Sequence, residues 1–545
     1  MKKLILPLLM MFALAAYLLW PSLGERRVPQ TGQSSQKSVH LRNRARHHTR
    51  GQIGEDAQSV ALDGMENEEQ PTELAVIVKD DEQFLAMLEA ARKAGVLLSN
   101  MRALRAVRLR GTSAKLKRLL SDDAFSELVV YENHIEWLIP EYDEDELSAS
   151  SGRPFGTRAL RWLGIDETAE NRGKGVKIVV LDTAIDASAP SLEGVSIQEQ
   201  DLFGLGKASE KATSLHGTMV ASILAGDNGV VGCVPSASIL SIPVMNAAGY
   251  GSSHDVAQAI VAAVDGGAQI ITMSMGFTQG DALLEMAVDY ATSKGVLIVA
   301  AAGNEGSATA GESTILYPAA YKGVLAVGAV NADSLRPEFS STGTELALVA
   351  PGVGLLADDG SDYVMFSGTS ASVPCVTGSL AYLMSSKEEV SATKAAELLL
   401  ENANDMGEPA DDVEYGLGGV SVERALNADT PGIFDAAAAD VAVVKNAAGH
   451  VESVYFTAQN RGTEEVERMT LVCTLTDALT GKTVYSEEKV FENVPVGGSV
   501  SVVLSDGEFS DKLSASVEVR SAEDFNNHNN RVRRSFEVVH PSSEK

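Results

Sequence analysis

The 545-residue chain has little cysteine, few aromatic residues and a deficit of positive charge. Its three cysteines, Cys233, Cys375 and Cys473, are odd in number and show no CxxC spacing, which disfavours a zinc site or a disulfide framework. Small apolar residues surround Cys233 and Cys375, which favours buried free thiols over a bond between them. Lys and Arg number 44 against 74 Asp and Glu, and the net charge of −30 argues against a nucleic-acid partner.

An almost continuous apolar run, Leu4 to Trp20, stands at the N-terminus after two lysines. A charged stretch followed by an apolar one is typical of an export signal. The run is close to the lower limit for spanning a bilayer, so it could also persist as an anchor. Residues 1–24 are therefore predicted to be a signal peptide or membrane anchor, with residues 4–20 able to contact a membrane. A secreted, periplasmic or cell-surface protein is expected.

The remaining chain divides into segments of different character. Residues 25–72 have few apolar residues and no periodicity, which predicts a disordered tether. Residues 73–140 follow a β-α-β-β-α-β order, with one strand expected over Arg102–Gly111, and predict a small α+β, ferredoxin-like domain. An acidic and serine-rich linker, 141–154, is the kind of segment that proteases cut.

Residues 155–428 alternate apolar runs with helical patterns, which predicts a doubly wound α/β domain with a mainly parallel sheet. The predicted strand runs are Lys177–Asp182, Ser238–Met245, Gln269–Met275, Val296–Ala302 and Val324–Val330. The predicted helices are Asp255–Val264, Ala282–Ser293 and Ala392–Asn402. Residues 430–545 switch to short alternating runs separated by turn signals, and six or seven strands suggest a β-sandwich.

Three residues of the α/β domain could together carry nucleophilic chemistry. Asp182 ends a predicted strand, His216 opens a helix, and Ser370 lies among small residues before another helix. Singly, each has a commoner explanation: a turn or capping aspartate, a core or surface histidine, and a helix N-cap. Together they supply a nucleophile, a base and a group that orients the base, in one of the known chain orders of such a triad.

Asn304 ends the apolar run before it in Gly303-Asn304. A side-chain amide at that place could donate to a developing oxyanion, with the backbone N–H of Ser370 as a second donor. The plainer interpretation is a turn asparagine.

These blocks resemble those of the subtilisin-like serine peptidases, or subtilases. The matching blocks are Asp182-Thr183-Ala184-Ile185-Asp186, His216-Gly217-Thr218, Gly368-Thr369-Ser370-Ala371-Ser372-Val373-Pro374, Ser274-Met275-Gly276, Ala302-Gly303-Asn304 and Ala350-Pro351-Gly352. The resemblance implies a serine endopeptidase in which Ser370 attacks, His216 is general base and then acid, Asp182 orients His216, and Asn304 with Ser370 forms the oxyanion hole. A catalytically silent surface-binding or adhesion protein is the alternative.

The resemblance also implies a substrate cleft. Protein or peptide substrates would add as a strand against Gly249-Tyr250-Gly251 and Ser274-Met275-Gly276. Ala302 and Gly303 would lie along the cleft, and Glu305 and Leu316 would line the pocket for the residue before the cleaved bond. Leu316 would narrow that pocket, so a modest apolar residue is expected there.

Departures from the family pattern leave the catalytic groups in place. Ala184 and Ala371 replace the usual Gly and Met, and Cys375 stands where His is usual. The segment 226–232 is too short for the calcium-binding insertion of many subtilases, so no metal or other cofactor is expected to be required, although structural calcium is conceivable.

The flanking segments carry weaker resemblances. Residues 73–140 resemble a subtilase propeptide, which would inhibit the cleft and be removed by self-cleavage between about Glu141 and Phe155; a permanent accessory domain is the alternative. The C-terminal unit resembles the Ig-like cell-adhesion-related domain of bacteria, through Asn460-Arg461-Gly462-Thr463 and the asparagine-rich stretch 524–530. It could bind a surface, a substrate or the catalytic domain, or be a passive appendage. A monomer is expected.

Overall fold

The structure is a computed structural model that describes residues 71–139, except 123, 124, 126 and 127, and then 152–205, 215–306, 313–445, 451–505, 512–524 and 526–537. The predicted export segment, the predicted tether up to residue 70 and most of the predicted processing linker lie outside the described residues. The last two residues of the predicted tether, Pro71 and Thr72, belong instead to a strand. The chain divides into two compact units, of which the first ends at Glu132 and the second begins at Asn133.

The described residues of the first unit form a four-stranded antiparallel sheet with two helices. Its elements, numbered in chain order, are β1 Pro71–Ile77, α1 Asp81–Ala94, β2 Leu97–Met101, β3 Ala106–Thr112, α2 Ser113–Leu120 and β4 Val129–Glu132. The strand order is β2-β3-β1-β4. The single strand expected over Arg102–Gly111 is wrong, because a 3₁₀ turn at Arg102–Leu104 and a left-handed Arg105 (φ 51°) connect β2 to its antiparallel partner β3.

In the described part of the second unit, seven helices surround the main sheet or pack close to it. They are α3 Ala159–Leu163, α4 His216–Ala225, α5 Ser253–Asp265, α6 Ala282–Ser293, α7 Thr369–Ser386, α8 Ala392–Glu401 and α9 Val422–Asn427. The strands up to residue 366 are β5 Ile135–Trp137, β6 Lys177–Asp182, β7 Ser196–Glu199, β8 Asp227–Asn228, β9 Val230–Val231, β10 Ser238–Pro243, β11 Tyr250–Ser252, β12 Ile270–Met273, β13 Leu297–Ala301, β14 Val324–Val330, β15 Leu346–Pro351, β16 Leu355–Asp358 and β17 Tyr363–Phe366.

The main sheet has seven parallel strands in the order β15-β14-β13-β12-β6-β10-β7. Every residue of β12 and β13 is buried, as expected for strands covered by helices on both faces. The predicted doubly wound α/β fold is confirmed. Its carboxyl edge brings the ends of β6, β12 and β13 together, which is where sites form in such sheets.

A short strand lies outside the main sheet, at the beginning of the second unit. β5 pairs antiparallel with β11, so that Trp137 faces Tyr250 and Ile135 faces Ser252. β11 is the segment that the sequence predicts to be the substrate-binding edge.

The strands that follow α9 in the second unit form two facing sheets. Its strands are β18 Ala436–Lys445, β19 Val451–Asn460, β20 Val466–Asp477, β21 Thr483–Val494, β22 Ser499–Ser505, β23 Lys512–Arg520 and β24 Arg531–Glu537. The sheets have the orders β18-β19-β22 and β21-β20-β23-β24, and they share one apolar core that includes Phe456, Leu471 and Val517. Within the described part of the chain, no helix is both long and apolar enough to cross a membrane.

Candidate active site

Asp182 and His216 meet at the carboxyl end of β6. The Nδ1 atom of His216 lies 2.8 Å from Oδ1 and 3.0 Å from Oδ2 of Asp182. Both side chains are almost fully buried, so their contact is shielded from water. The Oδ1 atom of Asp182 also accepts from the backbone N–H of Thr183 at 2.7 Å, which fixes the carboxylate. The second ring nitrogen, His216 Nε2, is buried and has no hydrogen-bond partner among the described residues.

The start of α4 is locked against the end of β6. The backbone N–H of Gly217 donates to Thr183 Oγ1 at 2.9 Å. A Cβ at position 217 would fall against the carbonyl oxygen of Thr183, so only glycine permits this approach. The backbone N–H of Asp186 donates to Thr218 Oγ1 at 2.9 Å, which adds a second link. These contacts hold the His216 ring at a fixed distance from Asp182.

Ser370 is the second residue of α7, where a backbone N–H has no acceptor within the helix. Gly368 precedes the helix with φ 127°, a conformation that favours glycine and allows the sharp entry. The hydroxyl of Ser370 donates to the carbonyl oxygen of Ser274 at 3.1 Å, and the hydroxyl of Ser274 donates to the carbonyl of Ser370 at 3.0 Å. This reciprocal pair joins the helix that carries Ser370 to the carboxyl end of β12.

Asn304 follows β13 and lies beside the start of α7. Its Oδ1 atom accepts from the backbone N–H of Thr369 at 2.9 Å and from Thr369 Oγ1 at 3.1 Å. With the oxygen held by two donors, the amide nitrogen is left as the donor of this side chain. These two bonds hold the Asn304 side chain beside Thr369, the first residue of α7.

The predicted substrate edge is occupied by the chain itself. Tyr250, Gly251 and Ser252 are paired with β5, and Gly249 accepts from the backbone N–H of Leu138 at 2.9 Å. This is the antiparallel strand addition that the sequence predicts for a substrate, made here by the chain's own residues. Met275, by contrast, is buried in the core at 2% exposure.

Leu316 lies between two predicted pocket walls. A Cβ on Gly276 would be 2.5 Å from Leu316 Cβ, and a Cβ on Gly303 would be 2.6 Å from Leu316 Cγ. The backbone N–H of Leu316 donates to the carbonyl of Ala302 at 2.8 Å, which anchors the residue. Leu316 thus fills space between the segments that carry Gly276 and Gly303. Glu305 is exposed at the rim, where its backbone N–H donates to Ser341 Oγ at 3.1 Å.

Cys375 lies one turn beyond Ser370 on α7 and contacts Cys233. Both thiols are free and fully buried. A hydrogen bond from the Cys375 thiol to Cys233, together with burial, raises the pKa of the Cys375 thiol well above its ordinary value. The sequence-based preference for buried free thiols therefore agrees with the structure.

Two residues near the site have no signal of their own in the sequence. The ring of Phe366 meets the His216 ring edge to face, with centroids 5.4 Å apart. The backbone N–H and hydroxyl of Thr278 both donate to the carboxylate of Glu136. In the sequence, the one hint to Phe366 is its position just before the Ser370 block. Thr278 could have been identified only if the pairing of β5 with β11 had been known. No group of three or more His, Cys, Asp or Glu side chains suited to a metal ion occurs in the described part of the chain.

Comparison with known proteins agrees with this geometry. Residues 173–418 match the model of the subtilase family. Subtilisin DY of Bacillus licheniformis is 38% identical over 258 residues, which cover 47% of this chain and 92% of that protein. The chain belongs to the subtilase family. The thermostable alkaline protease of Halalkalibacterium halodurans is 36% identical over 287 residues, covering 51% of this subtilase and 75% of the relative.

Other relatives extend beyond the matched region. Subtilisin E of Bacillus subtilis is 35% identical over 257 residues, which span 46% of this subtilase and 66% of the relative's length. A solved structure of the prenylagaramide maturation protease PagA aligns at 28% identity and a TM-score of 0.42, covering 48% of this chain and 95% of that one. The matched region carries Asp182, His216, Asn304 and Ser370, so the chain is a subtilisin-family serine peptidase.

Proposed function

We propose that the chain is an exported serine endopeptidase that hydrolyses peptide bonds of proteins with Asp182, His216 and Ser370, acting as a monomer. The observation that carries this proposal is the buried contact of His216 Nδ1 with Asp182 at 2.8 Å. A carboxylate at Nδ1 keeps the proton on that nitrogen, which leaves Nε2 as the basic one. That Nε2 is buried and has no hydrogen-bond partner among the described residues, which suits a nitrogen that accepts a proton when substrate binds.

In the proposed reaction, the hydroxyl of Ser370 leaves Ser274 and gives its proton to His216 Nε2 as its oxygen attacks the substrate carbonyl. The oxyanion accepts from Asn304 Nδ2 and from the N–H of Ser370 at the positive end of α7. His216 then protonates the leaving amine, and an acyl-enzyme remains on Ser370 until water releases it. Asp182 stays ionised and stabilises the charged imidazole.

The chain is further proposed to be a zymogen that processes itself. The support is β5, which occupies the substrate edge just before the linker that contains the predicted cleavage region. A strand held in this way blocks the edge to any other peptide. Cleavage after it, between about Glu141 and Phe155, would convert the blocking segment into one that can leave. Export is proposed from residues 1–24, by sequence pattern alone.

The test compares the full-length wild type with its Ser370→Ala variant. The wild type is expected to lose its N-terminal segment, to hydrolyse casein and to react with a fluorophosphonate probe; the variant should do none of these. Intact mass and N-terminal sequencing report processing, and Asp182→Asn is a second variant, in which the probe reaction should slow by several orders of magnitude. A wild type that stays whole, inert and unlabelled would favour the silent surface-binding protein instead.

A further inference from the structure

The chain's own strand β5 shows which features of a peptide the substrate edge can hold. The backbone N–H of Ser253 donates to the carbonyl of His134 at 2.9 Å, and that of Leu138 donates to Gly249 at 2.9 Å, so main-chain bonds flank the paired strand at both ends. These bonds do not depend on sequence. Any preference must come from the side chains of the bound strand.

Glu136 makes the most specific of the side-chain contacts. One carboxylate oxygen, Oε2, accepts from the backbone N–H of Thr278 at 2.9 Å and from its hydroxyl at 3.0 Å. Both donors belong to one residue, which gives them a fixed geometry. Hydrogen bonds to an ionised acceptor are stronger than those between neutral groups.

Leu138 lies on the same face of the strand as Glu136, because side chains alternate along a strand. It is 1% exposed and packs against Gly251, where an added Cβ would come within 2.6 Å of Leu138 Cδ1. Ile135 is on the opposite face and is 59% exposed. The face of the bound strand that lies against the protein therefore carries an acidic side chain at Glu136 and an apolar side chain at Leu138. The residue between them points to the other face.

We propose that Thr278 forms a subsite for an acidic side chain, so that the enzyme prefers peptides with Asp or Glu two residues before a buried apolar residue. The inference rests on the proposed function, because it assigns the occupant of the substrate edge. Thr278 donates two hydrogen bonds to the carboxylate, and the space beside Gly251 accepts the apolar side chain. The chain's own blocking strand carries this pattern at Glu136 and Leu138, which makes it a self-recognition sequence.

The test measures inhibition of casein hydrolysis by synthetic peptides of residues 133–139. The natural peptide is compared with its Glu136→Gln form, which keeps the shape and loses the charge, and with an Ile135→Ser control on the exposed face. Each peptide is assayed on the processed wild type, on Thr278→Val and on Thr278→Ser. The Glu136→Gln peptide should bind the wild type about three- to tenfold more weakly, the range for partly exposed charged hydrogen bonds.

The decisive comparison is a double-mutant cycle between peptide and enzyme. On Thr278→Val the ratio of the two inhibition constants should shrink towards one, and on Thr278→Ser it should return to the wild-type ratio. Equal inhibition by the Glu and Gln peptides on the wild type, or an unchanged ratio on Thr278→Val, would overturn the subsite. If the wild type does not hydrolyse casein at all, the proposed function fails, whereas casein hydrolysis with an unchanged ratio of inhibition constants overturns the subsite alone.

Discussion

At the scale of single residues, the resting hydroxyl of Ser370 donates to the carbonyl of Ser274 and not to His216. A rotation about the Cα–Cβ bond of Ser370 would release its hydroxyl from Ser274. Catalytic hydrogen bonds are often long or absent in a resting site and form only when substrate is bound. The buried, unpartnered Nε2 is consistent with such a resting state.

Asn304 offers the sharpest single-residue prediction. Its oxygen is tied to Thr369, so an Asn304→Asp variant keeps both of those bonds, loses the amide donor and adds a negative charge, while Asn304→Ala loses the two bonds and the donor. Asn304→Ala is expected to lower kcat by about 10²–10³ with little change in KM, because the donor acts on the transition state, and Asn304→Asp by at least as much, because its charge repels the oxyanion. Steady-state kinetics on a peptide substrate gives the answer. A change confined to KM would mean that Asn304 only binds substrate.

The three cysteines allow a chemical prediction. All three are buried, and burial raises the pKa of Cys473 to about 12 as its main cause, while the pKa of Cys375 is raised by Cys233 and by burial. Enclosed thiols are poor nucleophiles because a reagent cannot reach them, so iodoacetamide at pH 8 should label none in the folded protein. In urea it should label all three, as counted by intact mass in the Ser370→Ala background. Only one label in urea would mean that Cys233 and Cys375 are bonded.

At the scale of helices and strands, the sequence predicts best where a strand is buried on both faces. The predicted bounds of β6, β14 and α6 are those of the structure, because continuous apolar runs and a clear helical period leave little choice. Edge strand β7 is missed, since three of its four residues are exposed and carry no apolar signal.

The residues of the candidate site could be predicted from the sequence more completely than the segments that pack around it. Asp182, His216, Asn304 and Ser370 stand at element ends with recognisable neighbours, and the structure brings them to one sheet edge. The occupant of the substrate edge could not be predicted, because the pairing of β5 with β11 joins residues more than a hundred positions apart. Nothing local in Ile135–Trp137 specifies that partner.

The attachment of the blocking segment at the beginning of α5 gives a prediction of its own. The Oδ1 atom of Asn133 accepts from Ser252 Oγ at 2.7 Å and from the backbone N–H of His254 at 3.3 Å, near a positive helix end. Asn133→Ala should therefore shorten the lag before full-length protein hydrolyses casein, and leave the final rate unchanged. Progress curves measure both quantities. Asn133→Asp, which keeps the acceptor, is the control. An unchanged lag in Asn133→Ala would mean that Asn133 does not help to hold the blocking segment in place.

At the scale of the whole second unit, the β-sandwich is tied to the catalytic domain by buried polar groups. Asp440 in β18 accepts from Arg534 Nε at 2.8 Å and from the backbone N–H of Gly407 at 3.2 Å. Arg424 donates to the carbonyls of Ala403 and Arg461, and burial lowers its pKa to about 10. Buried charged groups of this kind require their partners, so the sandwich is an integral part of the unit.

The loop between α8 and α9, residues 405–415, lies in this junction and carries a titrating carboxyl group. Burial is the main cause that raises the pKa of Asp412 from 3.8 to about 7, while hydrogen bonds from the backbone N–H groups of Tyr415 and Glu414 lower it. Burial also raises the pKa of Asp405. The folded state thus holds protons that the unfolded chain releases above about pH 4. The contribution of Asp405 and Asp412 to folding stability should be greatest at or below that pH and fall as pH rises towards 7.

Asp412→Asn isolates this effect. The amide oxygen can replace Oδ1, which accepts from Glu414 at 2.7 Å and from Tyr415 at 2.8 Å, and no charge has to be buried. The measurement uses the Ser370→Ala background, which prevents self-digestion. There the substitution should raise the free energy of unfolding at pH 8 by about 1–3 kcal/mol. This is less than the full shift would give at 1.36 kcal/mol per pKa unit, because solvent screens a partly exposed site. The gain should vanish by about pH 4, where both carboxyl and amide are neutral. Urea unfolding at pH 4, 6 and 8 measures it, with the exposed neighbour Asp411→Asn as the control. A gain of the same size at all three pH values would show that the substitution acts through packing, and no gain at pH 8 would mean that the carboxylate is solvated in the folded protein.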